Sequence, residues 1–249
     1  MTVSLNDNET RALLQEVPVA YRTQINEVLL TALARTLAKW TNSSSVLLDL
    51  EGHGREEILA GVDLSRTVGW FTTIFPVVID LAEAPTSVAA LRLVKEQLRA
   101  IPERGIGYGL LRYTSSAGEI VSALSDQPQA EIRFNYLGQT DRSLSQSSLF
   151  KPAPESTGPS QSPQRERGYL LNVIGAVTGG ALRLAWTYSE NRHRRETIER
   201  LANDYVEELL ALIAQSRTSQ AASYSPTDFP GANLSQKDLE KVLARLRQR

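Results

Sequence analysis

Six consecutive residues, Glu51-Gly52-His53-Gly54-Arg55-Glu56, concentrate the side-chain types of this chain that could do chemistry. A carboxylate, an imidazole and a guanidinium set between glycines suit proton transfer or close ligand contact, because glycine lets backbone approach a bound group. The compact apolar run Ser45 to Leu50 lies just upstream and predicts a buried strand, so the six residues would emerge at a strand end, where α/β folds place their sites. The same residues also suit a surface turn with solvated charges, and the run taken alone leaves both readings open. Other chemistries are excluded. There is no cysteine, which removes disulfides, thiolate zinc sites and cysteine nucleophiles and suits a cytoplasmic protein. The two histidines, His53 and His193, are too far apart in sequence to suggest a multi-histidine metal site, and no metal is expected. No G-x-S-x-G elbow or Walker loop occurs, and no strand leads into Gly105-Ile106-Gly107-Tyr108-Gly109 to make it a dinucleotide loop.

The elements that must position these residues are readable from periodicity. Ile25, Val28, Leu29, Ala32, Leu33, Leu37 and Trp40 fall at helical spacing and predict a helix over about 24–40. A shorter helix should precede it, from near Asn6 to just before Pro18. Ile74 to Leu81 reads as a strand, and Val88 to Ile101 as a helix ended by Pro102. Ile132 to Leu137 reads as another strand. From Ser143 to Arg167 the composition turns to Ser, Pro and Gln, a mobile excursion between two paired strands. Tyr169 to Val177 and Ala181 to Tyr188 flank Thr178-Gly179-Gly180 as a hairpin, with Leu182, Leu184, Trp186 and Tyr188 on the inward face. A long helix covers Ile198 to Ile213, and a short basic helix starts near Ser235. This order fits an α/β sandwich: a mixed sheet with helices packed on one side. Trp70 and Phe71 are expected in the core.

A chain of 249 residues can bury a substantial core in one large domain or two small ones. Its formal net charge of -1 argues against a nucleic-acid partner. No apolar run is long enough to span a membrane, and Met1 to Asn8 lacks the pattern of a signal peptide.

Several blocks, in order, resemble the signatures of nonribosomal peptide synthetase epimerization domains. They are Glu27 to Ala34 (with Glu27 and Ala34 where the family has Asp and Gly), Glu51 to Glu56, Asp63 to Thr72 with Phe75-Pro76-Val77, Pro102 with Gly105, Gly107, Tyr108 and Gly109, and Phe134-Asn135-Tyr136-Leu137-Gly138. Condensation domains share the fold but usually lack the E-G-H-G-R-E and R-T-V-G-W-F-T wording. The resemblance covers about 13–216 and implies one lobe, the C-terminal one, of the two-lobed chloramphenicol acetyltransferase-like fold. It implies a lobe over 1–216; beyond it the composition reads as a Ser/Thr/Pro linker over 217–234 and a helix over 235–249, which resembles the connector segments of synthetases and either docks on a downstream subunit or folds back. The family's first lobe carries H-H-x-x-x-D-G, and this chain contains no His-His pair, so that N-terminal lobe is expected as a missing partner.

The family inverts the Cα of an aminoacyl or peptidyl thioester held on the phosphopantetheine arm of a peptidyl carrier protein; no cofactor is bound directly. A weakly acidic Cα proton must leave one face and return to the other, which calls for two acid–base groups and a stabilised enolate. The resemblance assigns one group to the second histidine of the absent motif and the other to Glu51. A glutamic acid donates poorly at neutral pH, so the cleft should desolvate Glu51. Tyr136, as a further catalytic candidate, and Asn135 would make contacts near the thioester or enolate, or Tyr136 would merely pack on its strand with its hydroxyl satisfied. His53 would orient Glu51 or bind its own loop, and Arg66 would pair with Glu51 or with a backbone carbonyl. The alternative function is a non-catalytic condensation-like lobe that acts as a carrier-protein docking module; an acyltransferase of the same fold is a third.

Overall fold

Strand alternation divides the molecule into a helix-covered face and an open one. The computed structural model describes residues 1–140, 155, 158, 162, 164–218, 224–229, 231–232 and 234–247. In chain order the elements are β1 (Thr2–Ser4), α1 (Asp7–Tyr21), α2 (Ile25–Thr41), β2 (Ser45–Gly52), β3 (Thr73–Asp80), α3 (Ser87–Arg99), α4 (Ile106–Thr114), α5 (Gly118–Ser125), β4 (Ile132–Gln139), β5 (Leu171–Thr178), β6 (Ala181–Tyr188), α6 (Arg195–Ser216) and α7 (Gln236–Arg247). Among the described residues the strands form one six-stranded sheet, ordered β1-β6-β5-β4-β2-β3. Pairing is parallel for β2 with β4 and β4 with β5, and antiparallel elsewhere, so the sheet is mixed as expected. Gly179 and Gly180 both take positive φ and close the β5–β6 hairpin. The expected excursion over 143–167 lies largely outside the described residues.

Leu48, Leu50, Phe75, Val77, Phe134, Val173, Leu184 and Trp186 point from the sheet into one core with α1, α2, α3 and α6. Each such side chain contributes about 1.5–3 kcal/mol on burial. Glu208 of α6 ties this layer together, accepting from Arg35 at 2.7 Å and from Lys39 on α2, and from Ser87 at 3.2 Å. Burial pushes its carboxyl up, but the two cations outweigh that and hold it below the usual range.

Two features depart from the sequence expectations. α1 runs through Pro18 to Tyr21 and ends where Arg22, in the left-handed region, donates its N–H to Pro18 O. A helix-interior proline costs about 3 kcal/mol; burying Val17 and Tyr21 on the same stripe as Leu13 offsets it. Pro102 and the glycines after it open α4 and α5, which contribute no buried residue, and α4 leans over the open face at the β3 edge. Gly105 starts α4 at φ +83, where a Cβ would lie 2.4 Å from the Phe75 ring.

The C-terminal segment contacts the helical layer. Residues 224–229, expected within a linker, lie against α3. Lys95, only 1% exposed, donates to Asp228 Oδ2 at 2.7 Å and to Tyr21 O at 3.1 Å. Arg99 joins Asp228 at 3.0 Å to Glu27 at 2.8 Å. Leu239 of α7 is 2% exposed and Arg92 meets Glu240 at 3.1 Å, so this helix packs back on its own chain.

Candidate active site

The parallel register pairs Leu50 with Phe134, both facing the helices. The next residue on each strand therefore faces the open side, and this brings Glu51 to Asn135. Asn135 Nδ2 donates to Glu51 Oε2 at 2.5 Å, and Arg133 Nη1 lies 3.2 Å from Glu51 Oε1. Arg133 is fixed in turn: its Nε donates to Asn172 Oδ1 at 3.0 Å, and its guanidinium sits 5.0 Å above the Tyr169 ring. The Tyr169 hydroxyl donates to Asp49 Oδ2 at 2.7 Å. Burial first, and then this bond, holds that hydroxyl protonated well above the usual phenol range. Glu51 is 16% exposed, so desolvation is partial. With a cation on one oxygen and an amide N–H on the other, the carboxylate has one orientation and a compensated charge.

The predicted residues divide between this cluster and other places. Glu51 and Asn135 meet. Tyr136, one residue on, points to the opposite face and packs against the helix-side core beside Gly175, where burial raises its hydroxyl above the ordinary range. His53 binds its own loop: Nδ1 accepts the Arg55 N–H at 3.0 Å, leaving Nε2 as the protonated nitrogen 3.2 Å from Glu56 Oε1. Arg66 is exposed on a turn, and the place expected for it beside Glu51 belongs to Arg133. Arg133, Asp49 and Tyr169 were not anticipated. For the first two the signal was available, since each lies two residues before a predicted site residue on a strand and so shares its face. Tyr169 carried no such signal.

The loop from His53 to Thr72 is held over the open face by Arg55, whose Nη1 donates to Leu64 O at 2.5 Å and whose guanidinium lies 4.2 Å from the Phe71 ring. Gly54 makes this possible at φ +64, because a Cβ there would lie 1.6 Å from Phe71 O. The loop carries Val68 and Trp70 outward, 98% and 90% exposed, which corrects the core position expected for Trp70. Loop, α4 and the β2–β3 face border an open cavity of about 840 Å³. Among the described residues no helix is long and apolar enough to cross a membrane.

The comparisons agree on the family. A profile described as Condensation domain matches residues 1–234. Tyrocidine synthase 1 of Brevibacillus parabrevis is 36% identical over 250 residues, 97% of this chain and 23% of the synthase. Chondramide synthase cmdD of Chondromyces crocatus is 48% identical over 241 residues, 97% of this chain and 6% of that protein. Among solved structures, the epimerization domain from the third module of tyrocidine synthetase B superposes with a TM-score of 0.78 at 36% identity, over 87% of this chain and 48% of that one. The first condensation domain of the CDA synthetase, at 15% identity and TM-score 0.56, shares the fold. That fold is the chloramphenicol acetyltransferase-like one expected from the motifs. The chain spans under half of the epimerization domain and a small fraction of the synthases it matches. With 234 of its residues matched end to end by one profile, the chain belongs to the condensation domain family of the nonribosomal peptide synthetases.

Proposed function

We propose that the chain forms one wall of an epimerization site, which inverts the Cα of an aminoacyl or peptidyl thioester carried on a phosphopantetheine arm. The observation that carries this reading is Glu51, clamped between Asn135 and Arg133 on the open face and flanked by a substrate-sized cavity. The 36% identity to a solved epimerization domain supports it further.

In this reading Glu51, as a charge-compensated carboxylate, takes the Cα proton, and the electron pair of the broken C–H bond delocalises into the thioester carbonyl as an enolate. A proton then returns to the opposite face of Cα. The group that delivers it is the second histidine of H-H-x-x-x-D-G on a partner first lobe, since this sequence has no His-His pair. Asn135 and Arg133 keep the carboxylate aimed and recover their full hydrogen bonds when the proton leaves it. Tyr136 and Arg66 take no part, and His53 acts by shaping the loop. The peptidyl carrier protein delivers the substrate, a downstream synthetase subunit receives the product, and the cytoplasm is the compartment.

The test is deuterium wash-in at Cα of a carrier-bound thioester in heavy water. Exchange is expected with a matching first lobe and not with this chain alone. Exchange by the chain alone would refute the two-group scheme, and failure in the presence of a folded first lobe would favour a non-catalytic docking role.

A further inference from the structure

We propose that Tyr169 is a positioning residue of this site: by occupying Asp49, it reserves the Arg133 guanidinium for Glu51. This rests on the epimerization reading above. Register sets the problem. Asp49, not Glu51, is the residue directly opposite Arg133 in the β2–β4 pairing. Asp49 and Glu51 share one face of β2, two positions apart. Neighbouring strands lie about 4.8 Å apart, whereas two positions along one strand span about 6.6 Å. A guanidinium leaving β4 at 133 therefore meets Asp49 first and Glu51 only on the diagonal. On its β5 side Arg133 is flanked by the neutral Asn172. Two carboxylates of β2 thus compete for one cation of β4.

The competition ends in favour of the diagonal. Among the described residues Arg133 forms one ion pair, at 3.2 Å to Glu51 Oε1, and none to Asp49. Asp49 Oδ2 instead accepts the Tyr169 hydroxyl at 2.7 Å. The Tyr169 ring lies 5.0 Å from the same guanidinium, so one side chain reaches both of the groups it keeps apart. A neutral donor suits this task. A lysine or arginine at 169 would satisfy Asp49 but would also attract Glu51; the phenol compensates Asp49 and adds no charge. Its flat ring also offers the guanidinium a face to stack on. Asn172 completes the arrangement by accepting from Arg133 Nε at 3.0 Å, which leaves the terminal nitrogens for a carboxylate. In this scheme Tyr169 touches no reacting atom and acts through Arg133.

A double-mutant cycle tests the assignment. Tyr169→Phe keeps the ring of a half-buried residue and deletes its hydroxyl, while Asp49→Asn deletes the competing charge. The first readout is the Nε–H correlation of Arg133 in the nitrogen-15-labelled full chain, which follows the partner of the guanidinium while the ring beneath it is unchanged. It should move in Tyr169→Phe, and move much less when the same substitution is made in Asp49→Asn. The second readout is Cα deuterium exchange with a first lobe and loaded carrier supplied. Tyr169→Phe should cut exchange by about tenfold in the parent and by less than about twofold in Asp49→Asn. A tyrosine that merely packs would cost the same in both backgrounds, and that result overturns the proposal. An Arg133 signal unmoved by Tyr169→Phe overturns it as well. Failure of the parent to exchange beside a folded first lobe would sink epimerization instead, and the Arg133 signal would still decide whether Tyr169 assigns the guanidinium.

Discussion

Replacing Asp228 with alanine isolates the contact that fixes the C-terminal segment to the lobe. Asp228 is 5% exposed and lies between Lys95 at 2.7 Å and Arg99 at 3.0 Å. Its removal leaves Lys95, which is almost wholly buried, with the Tyr21 carbonyl as its remaining acceptor. Breaking a buried pair by removing one partner costs about 3–5 kcal/mol. The lower end applies, because the segment 224–229 can lift away and admit water to the ammonium. For a chain of this size about 1 kcal/mol moves Tm by about 2–4 °C, so Asp228→Ala should lower it by ~6–12 °C. The same reasoning fixes an order. The variant always has the option of releasing its tail, so truncation after Ser219 must cost at least as much. Calorimetric melts of the parent, Asp228→Ala and the truncated chain decide it. A truncated chain that melts above Asp228→Ala, or a variant within 1 °C of the parent, would refute the argument.

Other expectations follow from the same contacts. Burial raises the Asp228 carboxyl, but bonds from Lys95 and the Ser225 N–H, with the neighbouring cations, outweigh it and lower the value. Its stabilisation is therefore full above its unfolded value near 3.9, is lost as pH falls through the lower folded one, and should vanish from the acid limb of Asp228→Asn melts. With a first lobe supplied, Glu51→Gln should cut Cα exchange by ~10²–10⁴-fold with an unchanged circular dichroism spectrum. Arg133→Gln should cut exchange by up to ~10²-fold by releasing the Glu51 carboxylate, with Arg133→Lys recovering part of it. Tyr205→Phe deletes a buried donor to Leu29 O at 3.1 Å and should cost about 1 kcal/mol in urea melts.

Strand parity explains what the sequence disclosed about the site and what it withheld. Period-two alternation located the buried face of β6 through Leu182, Leu184 and Trp186. The same rule shows that Asn135 and Tyr136, adjacent on a regular strand, cannot both serve one face, and it would have named Arg133 in place of Tyr136. Trp70 was misplaced because aromatic type predicts burial only on average; here the neighbouring guanidinium of Arg55 selects Phe71 as its platform, and the tight Gly54 turn turns Trp70 outward. The tail was opaque for a different reason. Its anchor is a lysine inside α3, and a lysine at 95 reads as a solvated charge until Asp228, far along the chain, is placed beside it.

The strand order also sets when the site can exist. β2–β3 and β5–β6 are antiparallel ladders, the latter closed by a two-glycine turn, and each forms with comparatively local chain closure. β4 joins them only by parallel pairing, and Asn135 must travel to a partner 84 residues away. Non-local pairing of this kind is kinetically late. During synthesis β2 therefore waits with an unsatisfied edge until β4 emerges from the ribosome, and Glu51 acquires its clamp only after the β2–β3 ladder can form. Pulsed hydrogen exchange during refolding should protect β5–β6 amides before those of β4. The lobe's chemistry is in this sense a maturation marker: a chain in which Glu51 is aimed is one whose β2 and β4 have already paired.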